Sequence, residues 1–234
     1  MAAMGEMIEN IAHQWRQPLS VISTASSGIK FKKEMDMLED DDIEITMNNI
    51  TSSVQHLSQT INDFRDFFKA DKKKINFLIS DTFKKTFTLI SSQFRSANIS
   101  VVNNITDTSL YGNEHELIQV LINILNNARD ELVKKEQKVK LIIIDSEITN
   151  NIFTIKIKDN AGGVPDEIIK EVFNSHFTTK QESNGTGVGL YMSKMIIEEH
   201  MKGIIKVENI DFTHEDIYYQ GAEFIISLPL HTTE

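Results

Sequence analysis

Asp159-Asn160-Ala161-Gly162-Gly163-Val164-Pro165 and, further along, Gly185-Thr186-Gly187-Val188-Gly189 together hold five of the chain's ten glycines. The first stretch follows an apolar run that reads as a strand, and the second opens a helical pattern. Glycine at such places lets the backbone come close to a ligand, and a helix N-terminus offers unpaired N–H groups to a phosphate. Tight turns use the same residues, so by themselves the glycines leave both readings standing. No Gly-Lys-Ser/Thr follows, which excludes a Walker-type phosphate loop.

The segments around these stretches alternate in period. Phe77–Ile79, Ile99–Val102, Val139–Ile144, Ile152–Ile157, Ile204–Val207 and Phe224–Leu228 read as strands. Helical spacing occupies 81–95, 114–135, 166–173 and 187–201. Helices covering one face of a sheet, an α+β sandwich, is the expected architecture from residue 77 to 234. Residues 1–70 follow another grammar. Ile8, Ile11, Trp15, Pro18, Ile22, Ala25 and Ile29 alternate steps of three and four, and after Glu39–Asp42 the pattern restarts at Ile43, Met47, Ile50, Val54, Leu57, Ile61, Phe64 and Phe68. That predicts an antiparallel helical hairpin whose acidic turn caps the second helix. Two such hairpins make a four-helix bundle, so a homodimer through residues 1–70 is expected; packing of the hairpin on its own second half is the alternative. Basic residues between Lys69 and Lys74 mark a linker, set at 71–76.

The helix at 114–135 carries Asn123 and Asn127 four residues apart, on one face beside Leu117, Val120, Leu121, Ile124 and Leu125. Amides beside an apolar stripe need partners. An asparagine oxygen suits Mg²⁺, which takes few protein ligands and completes its shell with phosphates and water; capping or exposure is the plainer reading.

Composition narrows the classes. A net charge of −10 disfavours nucleic-acid binding, which needs a basic face. The absence of cysteine excludes disulfides and thiolate metal sites, and the histidines share no metal-ligand spacing. Apolar runs reach only four or five residues, so no membrane contact is expected of this fragment. Helical sequence begins at Ala2 with no leader, which suggests a piece cut from a longer chain, and the absence of cysteine suits a cytoplasmic setting.

Taken in order, Asn123-Ile-Leu-Asn-Asn127-Ala128, Asp159-Asn-Ala-Gly-Gly163, Phe173-Asn-Ser-His-Phe177-Thr-Thr-Lys180 and Gly185-Thr-Gly187-Val-Gly189-Leu190 resemble the N, G1, F and G2 boxes of sensor histidine kinases, members of the GHKL ATPase superfamily. Ile11-Ala-His13-Gln-Trp-Arg-Gln-Pro18-Leu19-Ser resembles their H box. The resemblance spans nearly the whole chain. It implies a GHKL (Bergerat) sandwich behind the helical hairpin, and a protein-histidine kinase that uses ATP and Mg²⁺. His13 would be the phosphoacceptor, and a response-regulator aspartate would receive the phosphoryl group. Asn127 would ligand Mg²⁺ and Asn123 support the phosphates. Asp159 would accept a hydrogen bond from the adenine amino group, and Gly163 would let the nucleotide lie near the backbone. Gly185, Thr186, Gly187, Val188, Gly189 and Leu190 would cradle phosphates at the end of a lid over 175–184. Lys180 is either a phosphate contact or a solvated lysine.

His13 falls five residues after Ile8, on the side turned from the seam. Its imidazole, with an unperturbed pKa near ~6.5, keeps a lone pair at neutral pH. Pro18 lacks the N–H that would bond residue 14 and should bend the helix nearby. Some positions depart from the family. Gln14 stands where an acidic residue usually follows the histidine, Gln17 where Thr or Asn serves the phosphatase reaction, Ala161 replaces a common glycine, and Asp130 replaces a basic residue. Hydrolytic GHKL relatives carry a water-activating glutamate where this chain has Asn123, which argues against an ATPase; an ATP-binding dimeric scaffold without phosphotransfer is the other alternative.

Gln14 can hydrogen-bond the imidazole but takes no proton from it, so autophosphorylation should be slow or gated. Restoring the carboxylate in Gln14→Glu should raise the initial labelling rate from γ-labelled ATP several-fold; labelling no faster than the parent's would contradict this.

Overall fold

The computed structural model describes residues 2–68, 74–135, 138–174, 177 and 188–230, and within the first two helices it leaves out the side chains of residues 2–14, 17, 56, 59–60 and 62–68. The chain divides into two compact units, one built on the N-terminal helices and one on the sheet.

In the first unit, α1 (Ala2–Glu34) and α2 (Asp40–Phe68) run side by side. α1 continues through Pro18, which is buried. Its end is fixed locally. Asp36 takes a left-handed conformation (φ 55°), its N–H donates to the Lys33 carbonyl at 3.2 Å, and the Met37 N–H donates to the Lys32 carbonyl at 2.9 Å. These paired bonds satisfy carbonyls that a helix end leaves open. α2 begins at once. The Asp42 carboxylate accepts from the Glu39 N–H at 3.2 Å, the returning half of a capping box, and takes the Lys32 ammonium at 2.5 Å. The expected acidic cap is therefore present, with Asp42 as the capping side chain. Along the hairpin the apolar seam is only partly covered: Ile43, Met47, Val54 and Ile61 remain 40%, 45%, 50% and 41% exposed.

The second unit contains β1 (Ile75–Leu78), α3 (Ile79–Ser96), β2 (Ile99–Asn104), β3 (Ser109–Gly112), α4 (Glu114–Lys134), β4 (Lys140–Thr149), β5 (Ile152–Asp159), α5 (Gly189–Met195) with a following π-helical turn at Ile196–His200, β6 (Ile204–His214) and β7 (Ile217–Pro229). β1 and β3 form an antiparallel ribbon, and the other strands form a sheet in the order β2-β4-β5-β7-β6. Only the β2–β4 pair is parallel. Strand alternation sends Phe153, Ile155, Ile157, Phe224, Ile226 and Leu228 to one face, where they are buried, with α4 packed on β4 and β5 and α3 on β2. The α4 stripe Leu117, Val120, Leu121, Ile124 and Leu125 is fully covered. This is the expected sandwich.

Four features differ from the sequence reading. Ile75 and Asn76, placed in the linker, already pair in β1, while Ile79 opens α3. β3 was not anticipated, because four residues carry too little period to stand out. Residues 166–173 form turns rather than a helix: Ile168 and Glu171 donate to carbonyls three residues back, and only Ile169 makes a bond four back, to Pro165. So short a segment does not recover the cost of helix nucleation. Finally, β6 and β7 form a hairpin far longer than 204–207 and 224–228, turned by Glu215 and Asp216, both left-handed (φ 50° and 61°). Glu-Asp lacks the Asn-Gly signature of such turns.

β7 approaches the end of β5 so closely that a Cβ on Gly221 would lie 1.6 Å from the Asp159 carbonyl oxygen. Gly221→Ala should therefore force the strands apart and destabilise the chain by about 3 kcal/mol, read by urea unfolding; an unchanged midpoint would show that the sheet absorbs the methyl group.

Candidate functional site

Asp159 is the last inward-facing residue of β5, continuing the alternation Phe153, Ile155, Ile157. A carboxylate thus occupies a core position, 5% exposed. Its Oδ1 accepts from the Ala161 N–H at 2.8 Å and from the Ala222 N–H of β7 at 3.5 Å. Among the described residues no donor reaches Oδ2, leaving that lone-pair edge available to a ligand. Burial pushes the carboxyl up to about 6; the two N–H donors and the Lys135 ammonium only partly offset this.

The loop after β5 is fixed from several directions. Asn160, buried, gives its oxygen to the Leu141 N–H (2.8 Å) and its amide to the Val139 carbonyl (2.9 Å), fastening the β5 end to the start of β4. Gly162 and Gly163 both have positive φ (84° and 81°), and the Gly162 N–H donates to the Gln220 carbonyl at 3.0 Å. A Cβ on Gly163 would meet Asn209 Oδ1 at 2.6 Å; one on Gly162 would lie 3.2 Å from Lys135 Nζ.

α4 is launched by Asn113, whose side chain accepts from the His115 and Glu116 N–H groups. Halfway along, the Asn123 amide donates to the Gly189 carbonyl (3.1 Å) and the Ser193 hydroxyl (3.3 Å), so it holds the first turn of α5. Asn127 follows one turn later, half-buried on the same face. Towards the other end of this helix pair, Glu116 meets His200 Nδ1 at 2.8 Å. Gly189 and Leu190 open α5, and Val188, just before it, is buried. Phe173 packs edge-on against Phe224 (86°, centroids 6.3 Å apart).

The structure therefore brings Asn123 to Gly189 and sets Asp159 beside the loop of Gly163. Lys180, Gly185, Thr186 and Gly187 lie outside the described residues, as does the expected lid apart from Phe177. His13, Gln14 and Gln17 lie on α1, but their side chains are outside the description. Asp130 pairs with Arg129 (2.6 Å). Four residues at the site were missed from sequence: Lys135, Asn160, Asn209 and Gly221. The signal for Gly221 was present, since a glycine inside a strand marks a close backbone approach. The other three act across long separations that leave no local pattern.

Two family models match the chain. One, described as histidine kinase-, DNA gyrase B- and HSP90-like ATPase, covers residues 112–232; the other, the His Kinase A (phospho-acceptor) domain, covers residues 3–73. Sensor protein FixL of Bradyrhizobium diazoefficiens is 25% identical over 206 residues, 86% of this chain and 40% of FixL. The chain spans only 31% to 40% of the length of FixL and two further curated relatives. The catalytic domain of histidine kinase ThkA superposes with a TM-score of 0.55 at 25% identity, over 68% of this chain and 96% of that domain. A structure of ThkA in complex with response regulator protein TrrA reaches 0.67 over 98% of this chain and 63% of that one, at 22% identity, a likeness of fold. Among the described residues no helix is long and apolar enough to cross a membrane.

Because the folded Asp159 carboxyl binds its proton near pH 6, above its ordinary 3.8, its ionised form opposes folding at neutral pH, and the penalty shrinks as pH falls through 6. Asp159→Asn removes this group's titration. The stability of the variant relative to the parent should therefore fall by about 1 kcal/mol between pH 7 and pH 5, measured by urea unfolding of both. A gap independent of pH would show that burial does not govern this carboxyl.

Proposed function

This chain belongs to the histidine kinase-, DNA gyrase B- and HSP90-like ATPase family, and on that premise we propose that it binds Mg-ATP in its second unit and transfers the γ-phosphoryl group to its own His13. The observation that carries the nucleotide reading is Asp159: a buried carboxylate, held by two backbone donors through one oxygen, with the other oxygen open beside a glycine loop. An exocyclic amino group satisfies such an acceptor, and a guanine carbonyl does not, so adenine is selected. The acceptor reading rests on the match of residues 3–73 to the phospho-acceptor domain and on His13 within the Ile11–Leu19 motif.

Roles follow from placement. Asn123 braces the first turn of α5 and so supports the phosphates indirectly. Gly189 and Leu190 open that helix, and with Gly185, Thr186, Gly187 and Val188 before them in sequence they are the proposed phosphate cradle, with Lys180 as a further phosphate contact. Asn127 offers its side-chain oxygen to Mg²⁺, which when bound neutralises charge between the phosphates. His13 attacks in line: its nitrogen–phosphorus bond forms, the bond from the γ-phosphorus to the bridging oxygen breaks, ADP leaves, and the ring gives up its proton. Asn123 cannot take a proton from water, and its amide is already engaged, which disfavours simple hydrolysis.

The partly covered seam of α1 and α2 supports a homodimer through residues 1–70, joined by the stretch before Ile75 to a catalytic domain that begins with β1. A phosphoramidate is a high-energy donor, and ThkA was solved with a response regulator; a receiver-domain aspartate is the proposed acceptor, in a cytoplasmic setting. Gln17 stands four residues after His13, where the family usually carries the Thr or Asn of the phosphatase reaction.

The test is labelling with γ-labelled ATP and Mg²⁺. We expect acid-labile, alkali-stable label that disappears in His13→Ala while ATP binding persists. Label surviving in His13→Ala would remove His13 as acceptor, and turnover of ATP with no labelled protein would favour an ATPase.

A further inference from the structure

We infer that Asn209, on β6, is a positioning residue for the nucleotide loop; the inference rests on the reading of Asp159 as the adenine contact. Asn209 Oδ1 accepts from the Val164 N–H at 2.8 Å, and its Nδ2 donates to the Val164 carbonyl at 2.7 Å and to Asp166 Oδ1 at 3.3 Å. One side chain thus pairs with both polar groups of a single backbone residue, as a neighbouring strand would. It grips the loop at the residue after Gly163, on the side remote from Asn160, which fastens the other end.

The same amide explains Gly163. The site where a Cβ would stand on Gly163 lies 2.6 Å from Asn209 Oδ1 and 3.0 Å from its Cγ, and the Gly221 carbonyl oxygen follows at 3.5 Å. The space a side chain would take is filled by Asn209. Within this chain that clamp alone already disfavours a side chain at Gly163. The left-handed φ of 81° is a separate demand, present whatever stands at residue 209.

Gly162 lies between the clamp and Asp159, and its N–H is fixed on Gln220 of β7. Releasing Val164 frees the outer half of a loop whose inner half carries the Asp159–Ala161 hydrogen bond. The loop then orders at the moment of binding, and affinity falls by the population of the ordered form. Transfer itself is untouched once the site is filled, because Asn209 meets neither phosphate nor imidazole in this reading.

The experiment uses the whole chain as parent, Asn209→Ala, and Asn209→Asp, which keeps the shape but loses both donors. Both variants should raise the Kd for ATP about tenfold, leave the autophosphorylation rate at saturating ATP within about twofold, and speed hydrogen exchange at the Val164 amide about tenfold without nucleotide. A role confined to stabilising the β6–β7 hairpin would instead lower the melting temperature with Kd unchanged. Gly163→Ala should weaken ATP binding far more in the parent than in the Asn209→Ala background, where the colliding amide is gone. Unchanged Kd in both Asn209 variants, or an equal Gly163→Ala penalty in the two backgrounds, would overturn the inference. If the parent binds no ATP, the nucleotide reading fails, and Val164 exchange still decides whether the clamp holds the loop.

Discussion

β7 reaches the end of β5 closely enough for the Ala222 N–H to donate to the Asp159 carboxylate, and Gly221 has no room for a side chain there. A carboxylate held among Phe153, Ile155 and Ile157 needs such support, since a buried charge without hydrogen bonds would be neutralised or expelled. The backbone donors orient one oxygen, and the loop that follows inherits its direction from both strands. Asn160 and Asn209 then fasten that loop to β4 and β6. Three strands converge on a few residues, and the sheet order brings them there.

The other half of the site is organised by helices. α4 is buried along its apolar stripe, so its asparagines are carried on a rigid element, and Asn123 uses its amide to hold the start of α5. Glu116 and His200 repeat the attachment further along. A helix start braced in this way is preorganised, and preorganisation is where binding energy is gained without new contacts.

Much of this was legible before any coordinates. The strand run Ile152–Ile157 just before Asp159, the α4 stripe with its two asparagines, and the heptad-like steps of α1 and α2 are periodic signals, and periodic signals survive folding because they reflect which face is buried. The acidic turn was readable as a cap because caps are local. What escaped was of two kinds. The ribbon partner Ser109–Gly112 and the Glu215–Asp216 turn are too short, or too unusual in composition, to announce themselves. The clamps made by Asn209 and Asn160, and the charge of Lys135 near Asp159, join residues far apart in sequence, and an isolated asparagine on a strand looks like any solvated polar residue. The turns at 166–173 failed in the opposite sense, a helical spacing too brief to become a helix.

The position of β7 also orders events in time. The hairpin of α1 and α2 is built from contacts close in sequence, as with Lys32 and Asp42, and such local structure forms rapidly. The sheet is different. β7 lies between β5 and β6 in space yet follows every other described element along the chain, and it pairs with β5 from Ile152–Pro229 to Lys158–Glu223. During synthesis the helical hairpin can assemble early, whereas the pocket around Asp159 waits for the strand made last. A nascent chain therefore completes its helical hairpin before the junction of β5 and β7, and the hydrogen bond from Ala222 to Asp159 becomes a report that the sheet is complete.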